Sequence, residues 1–241
     1  MANTEQRGNA AVSWMKSPKH IYEDRYRLLT RDIPIVGNSG RGELFGVLDG
    51  IGSAPKGMAA AQAIADCLAD FFRKPEIYTA DWQGLSKLLH KTNMEIFSWG
   101  FMTGSDRPLG GCAGTMAWLH NGKVYMFHAG DTVGMLLREG MEPRMLTRLH
   151  EIRGDIYRYF GLGESLMIDV ESCQVEEGDL ILLMSDGVTK AFSTTEAATL
   201  VSQIYDRTGD IASAVDELVT RSRTRKSSDD ITALVIEVAD E

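Results

Sequence analysis

The feature that most constrains this chain is a set of short apolar runs that each end on an aspartate beside a glycine. Leu44-Phe45-Gly46-Val47-Leu48 leads into Asp49-Gly50, and Leu180-Ile181-Leu182-Leu183-Met184 leads through Ser185 into Asp186-Gly187. An unbroken apolar run closed by a turn signal is the pattern of a strand buried on both faces, so each aspartate falls at an exposed strand tip. Gly130-Asp131 and Asp229-Asp230 flank further apolar runs. Several such tips brought together would form an oxygen cage for hard divalent cations.

Between these runs the period changes. Ala60, Ile64, Leu68 and Phe71 fall at helical spacing and predict a helix over Gly57 to Phe72, with a second over Trp82 to Trp99. Strands are predicted at Ala11 to Trp14, Tyr22 to Thr30, Leu44 to Leu48, Thr115 to Leu119, Lys123 to His128 and Val133 to Arg138. Asn121-Gly122 marks a hairpin between the Thr115 and Lys123 strands. A strand pair, Met167 to Val175 with Asp179 to Met184, is read across Glu177-Gly178. Helices follow at Thr195 to Tyr205 and Ile211 to Arg223, and a last strand at Ile231 to Val238. Helix pairs alternating with antiparallel strand runs predict an α+β fold of two mainly antiparallel sheets flanked by helices. Residues 1–10 are read as a flexible N-terminus and 11–241 as one domain.

Charge and cysteine content exclude several functions. The net charge of -9 leaves no basic surplus for phosphate backbones, which argues against a nucleic-acid partner. The basic run Arg221 to Lys226 reads as a solvated helix end. The three cysteines, Cys67, Cys112 and Cys173, lack metal-ligand spacing and read as reduced thiols of a cytoplasmic protein. No apolar stretch approaches the roughly 20 residues of a membrane span, so no membrane partner is expected. Gly50-Ile51-Gly52-Ser53-Ala54-Pro55-Lys56-Gly57 lacks the Gly-Lys-Ser/Thr ending of a nucleotide loop.

A lone Asp-Gly at a strand end is ordinarily a turn. Here the acidic signals recur in a fixed order: Glu23-Asp24, Asp49-Gly50-Ile51-Gly52, Gly130-Asp131-Thr132, Ser185-Asp186-Gly187 and Asp229-Asp230-Ile231-Thr232. With these motifs the chain, from about Ala11 to Val238, resembles the type 2C (PPM) metal-dependent serine/threonine protein phosphatases. The resemblance implies a four-layer αββα sandwich with two core Mn²⁺ or Mg²⁺ ions, and possible binding of a third, in a cleft at one end of the sheets. It implies that Asp49 bridges the two core ions, that the Gly50 carbonyl binds the second, and that Asp186 and Asp229 hold the first. Glu23 and Asp24 would act mostly through water, and Asp131 would share a third, weaker ion with Asp186. A hydroxide held between the two core ions would attack the phosphoserine or phosphothreonine of a protein substrate. Lys19, four residues before Glu23, stands where many relatives carry a phosphate-binding arginine, and its ammonium lacks the bidentate fork. Asp49, Asp186 and Lys19 are thus the expected catalytic residues.

Three departures refine the expectation. Ile51 replaces a histidine proposed as general acid in eukaryotic relatives, so the leaving alcohol would take its proton from water. Asp230 replaces an asparagine and adds charge beside Asp229. The short span from His150 to Gly163 leaves little of the family's flap, as in compact bacterial phosphatases of stress and sporulation signalling. His20, beside Lys19 and near Glu23, reads as a surface histidine. Two other functions stay open on the sequence: a phosphatase-fold module that binds partners without catalysing, and a phosphatase for a small molecule.

Overall fold

The computed structural model describes residues 1–102, 104 and 108–239, so the last two residues of the 11–241 domain span lie outside the described residues. In chain order the elements begin with β1 (Asn3–Arg7), β2 (Ala10–Met15), β3 (Arg25–Leu29), α1 (Pro34–Gly37) and β4 (Glu43–Gly50). Then come α2 (Gly57–Cys67), α3 (Asp70–Arg73), α4 (Trp82–Met102), β5 (Cys112–His120), β6 (Lys123–Ala129), β7 (Val133–Leu137) and β8 (Arg144–Met145). A short hairpin, β9 (Glu151–Ile152) and β10 (Asp155–Ile156), precedes β11 (Asp169–Gln174), β12 (Leu180–Met184) and α5 (Asp186–Thr189). The chain closes with α6 (Thr194–Thr208), α7 (Ile211–Thr224) and β13 (Ile231–Glu237).

Two antiparallel sheets stack face to face. One has the order β1-β2-β13-β12-β7-β8 and the other β11-β6-β5-β4-β3. Val12, Phe45, Val47, Ile181, Leu183, Leu234 and Ile236 pack between them. Alternate residues of the same strands face outward: Leu44 and Leu48 meet Ile64 of α2, Leu68 just past its end and Leu89 of α4. Leu182, Met184, Ala233 and Val235 meet Val201, Val215 and Leu218 of α6 and α7. Because successive strand residues point to opposite faces, strands buried on both sides need the near-continuous apolar runs seen in the sequence. The four-layer αββα architecture read from the sequence is the one observed. No helix among the described residues is long and apolar enough to cross a membrane.

Three local readings are corrected. Residues 3–7 are not frayed: they form β1, paired with β2 from Asn3↔Trp14 to Arg7↔Ala10, and the Thr4 hydroxyl donates to Asp216 at 2.7 Å. Their polar side chains mark an exposed edge strand, whose pairing is made by backbone and leaves no apolar signature. The segments read as a strand pair across Glu177-Gly178 do not pair. β11 joins β6, whereas β12 lies in the other sheet between β13 and β7. The link crosses between sheets, and Asp179 fixes it by accepting from Glu176 N at 2.8 Å and from Arg138 Nε and Nη2 at 2.8 and 2.7 Å. The basic run at the end of α7 is only partly solvated. Arg223 donates to the carbonyls of Lys16 and Asp229 at 2.8 and 2.9 Å, and Arg225 lies 3.9 Å over the Phe192 ring.

Candidate active site

The acidic turns meet at one end of the sandwich because the strands carrying them are neighbours. β12 and β13 pair from Leu180↔Glu237 to Met184↔Ala233, which sets the Asp186 turn beside the Asp229 turn. Side chain and backbone lace the two together: Ser185 N donates to the Thr232 carbonyl at 2.9 Å, and Thr232 N donates to Ser185 Oγ at 3.0 Å. Gly187 is the point of closest approach, where a Cβ would stand 1.8 Å from the Asp230 carbonyl oxygen. In the facing sheet, β4 delivers Asp49 opposite Ala113 of β5. Gly130, at φ 125°, turns the chain out of β6 so that Asp131 enters the same space.

The result is a cleft of about 430 Å³ lined by Glu23, Asp49, Gly50, Asp131, Asp186 and Asp229, with His20, Ile51, Ser53, Ile156, Lys190 and Asp230 among its other walls. Six of the seven residues expected to hold metal therefore share one space. Asp24 does not line it. It is 1% exposed beneath the floor, where the Thr232 hydroxyl donates to its Oδ2 at 2.6 Å. Lys19 stays outside the cleft walls, its ammonium donating to Ser228 Oγ at 3.0 Å.

Negative charge is in surplus here. Burial first, then the neighbouring carboxylates with Asp24 foremost, holds Asp49 well above the usual carboxylate range. Burial and Asp186 push Asp131 up to about 7, and burial pushes Asp24 up to about 8. Asp186 is raised by burial despite a nearby cation. Asp229 is also partly desolvated, but its contact with that cation prevails and holds it below the usual value.

The cation is Lys190, which the sequence reading missed. Its Nζ lies 2.5 Å from Asp186 Oδ2 and 2.6 Å from Asp229 Oδ2. Burial alone would lower its pKa, but the two carboxylates, Asp186 foremost, raise it. The available signal was the four-residue spacing from Asp186, which places a helical lysine over its aspartate. It was hidden because the one-turn helix α5 was not foreseen.

Two other neighbours differ from expectation. Asp230 does not simply add charge beside Asp229: it is 3% exposed, and its two oxygens accept from Ser17 N and Glu23 N, each at 2.6 Å. It thereby pins both ends of the segment that carries His20 and Glu23. His20 Nε2 stands 3.4 Å from Asp229 Oδ1 at the rim, and its pKa is raised, chiefly by its bond to the Ile21 carbonyl. His128 and His150 are structural. His128 bonds to Thr115 Oγ1 and the Arg148 carbonyl, while Gly130 N donates to His150 Nδ1 at 3.1 Å and so braces the Asp131 turn.

As they stand, no group of three or more histidine, cysteine, aspartate or glutamate side chains among the described residues is arranged to hold an ion. The donor set still fits hard divalent cations. It is all oxygen, such ions keep several waters and need few protein ligands, and Asp131 Oδ1 is buried without a hydrogen-bond partner.

The paired antiparallel sheets lie between helix layers and carry the carboxylate cleft at one end. The sequence matches the family described as Stage II sporulation protein E (SpoIIE) over residues 45–239. It is 26% identical over 201 residues to "Probable protein phosphatase 2C 9" of Arabidopsis thaliana, covering 70% of this chain and 68% of that one. Among solved structures, PppA, "a key regulatory component of T6SS in Pseudomonas aeruginosa", superposes with a TM-score of 0.79 at 23% identity, over 98% of this chain and 99% of that one. The catalytic domain of the serine threonine protein phosphatase PstP, in complex with two manganese ions, superposes with a TM-score of 0.77 at 19% identity over 100% of both chains. The chain belongs to the SpoIIE family, within the type 2C (PPM) protein phosphatases.

Proposed function

We propose that this chain hydrolyses phosphoserine or phosphothreonine on a protein, using Mn²⁺ or Mg²⁺ held in the acidic cleft. The observation that carries this reading is the convergence of Glu23, Asp49, Gly50, Asp131, Asp186 and Asp229, from distant parts of the sequence, on one cleft. Asp49, the Gly50 carbonyl, Asp186 and Asp229 would hold the two core ions, Glu23 would act through water, and Asp131 would take a third. Asp24 buttresses the floor through Thr232. When bound, the ions supply an acidified water as nucleophile and neutralise charge on the phosphoryl oxygens.

The chain's own groups do the rest. Asp230 and Arg223 fix the backbone around Glu23 and Asp229. Ile51 and Ile156 give the cleft an apolar wall that limits water. His20 offers a protonatable nitrogen at the rim, so the leaving oxygen can draw its proton there or from solvent. None of Cys67, Cys112 or Cys173 lines the cleft, and burial holds all three thiols above their usual range, so a cysteinyl-phosphate route has no nucleophile. Three free cysteines suit a reducing compartment, and we place the protein in the cytoplasm. The short hairpin β9–β10 beside the cleft leaves it open to a phosphorylated loop of a compact signalling protein.

Turnover of a phosphoserine peptide should require Mn²⁺ or Mg²⁺ and vanish in Asp49→Ala and Asp186→Ala, while each Cys→Ser variant keeps it. Undiminished turnover in excess chelator would sink the reading, and preference for free phosphometabolites over phosphopeptides would reassign the substrate class.

A further inference from the structure

The ammonium of Lys190 contacts Asp186 Oδ2 and Asp229 Oδ2, which belong to the two carboxylates assigned above to one core ion. An ammonium and a divalent cation cannot both sit between the same two oxygens. The lysine is tethered where it competes best: Lys190 N donates to the Asp186 carbonyl at 2.8 Å at the end of α5, so its side chain starts one helical turn from the carboxylate it meets. Tethering makes the contact intramolecular and gives the ammonium a high effective concentration at this point. The Lys190 side chain is 50% exposed, so it can swing into the cleft mouth without breaking core packing. His20 also lines the cleft, and its Nε2, a cation only when the ring is protonated, stands 3.4 Å from Asp229 Oδ1.

We propose that Lys190 is a tethered counter-cation that competes with a divalent ion for Asp186 and Asp229 and so sets the metal affinity of this chain. Without metal it ties the two acidic turns together. When an ion enters, the ammonium leaves for the cleft mouth, where the phosphate of a substrate would lie. This rests on the reading of the cleft as a metal site. It distinguishes Lys190 from an ordinary structural ion pair, whose loss would weaken the protein with and without metal alike.

The test is calorimetric titration of Mn²⁺ into the metal-free wild type and into Lys190→Met, which keeps an unbranched side chain one atom shorter and removes its charge. Deleting a cation in contact with both carboxylates should tighten Mn²⁺ binding by about tenfold or more. Melting in chelator should drop for Lys190→Met and recover in saturating Mn²⁺. Equal or weaker Mn²⁺ binding by the variant, with the wild type binding normally, overturns the proposal alone. No Mn²⁺ uptake by the wild type overturns the metal-site reading, and this proposal with it. A second measurement does not depend on that variant folding. In wild-type protein the ¹⁵Nζ resonance of Lys190, identified by its loss in Lys190→Arg, should move on addition of Mg²⁺. A resonance that stays in place while Mg²⁺ binds overturns the proposal.

Discussion

Asp131 offers the sharpest test of the charge surplus in the cleft. Its side chain is 8% exposed, its Oδ1 has no hydrogen-bond partner, and burial with Asp186 lifts its pKa from 3.8 to about 7. A carboxyl whose folded value lies above its unfolded value favours the protonated folded state. Its contribution to stability is full below about pH 4 and is lost as the pH rises through about 7. The interval corresponds to about 4 kcal/mol. For a chain of this size that is roughly 10 °C in melting temperature. Asp131→Asn keeps the shape of the protonated acid and cannot ionise. Thermal melts in chelator should therefore give nearly equal values for wild type and Asp131→Asn below about pH 4, diverge as the pH rises from about 4 to about 7, and keep a constant gap above that. By pH 8.5 the variant should melt roughly 10 °C higher. Asp24, raised to about 8 by burial, adds a pH dependence of the same sign that the substitution leaves in place. Saturating Mn²⁺ should close the gap by raising the wild type more. A variant that melts with or below the wild type at pH 8.5 in chelator would refute the claim that this buried carboxylate, with its Oδ1 unpartnered, is a cost that a cation relieves.

Other expectations follow from contacts around the cleft. Asp230→Asn keeps one acceptor and turns an NH₂ toward the N–H of Ser17 or Glu23, both now bonded at 2.6 Å. It should cost about 1–3 kcal/mol in denaturant unfolding and loosen the Ser17–Glu23 segment to hydrogen exchange. Gly187→Ala puts a methyl 1.8 Å from the Asp230 carbonyl; by forcing apart the two turns that carry Asp186 and Asp229 it should abolish Mn²⁺ uptake in calorimetry even where the chain still folds. Lys19→Ala, which removes a contact with Ser228 outside the cleft, should change phosphopeptide turnover by less than about threefold, whereas loss of an anchoring phosphate ligand would cost about tenfold or more.

How much of the fold could be read in advance depended on where its information is stored. Strands β4, β12 and β13 are buried on both faces, so burial itself writes them as apolar runs. The Asn121-Gly122 turn was legible for a different reason: its φ values of 52° and 66° require residues that tolerate the left-handed region. Edge strand β1 and the sheet membership of β11 left no such trace. Both depend on backbone pairing between segments whose side chains are half exposed, and polar strand residues look alike whichever sheet they join.

The site divides along a similar line. Carboxylates at strand tips were legible because each tip combines a hydrophobic run, a turn residue and an acid, three independent signals at one place. Asp230 was legible as a position and not as a function: an aspartate facing two backbone N–H groups has the same letter as one facing an ion, and only the placement of Ser17 and Glu23 decides between them. Lys190 belongs to a third kind. Its spacing from Asp186 was visible, but a lysine over an aspartate reads as a surface helix pair until β13 brings Asp229 to the other side of the same ammonium. The tertiary contact turns a pair of small consequence into a cation held between two buried-edge carboxylates. In an arrangement of that kind local sequence supplies one partner and a remote strand the other, so neither half read alone reveals the contact.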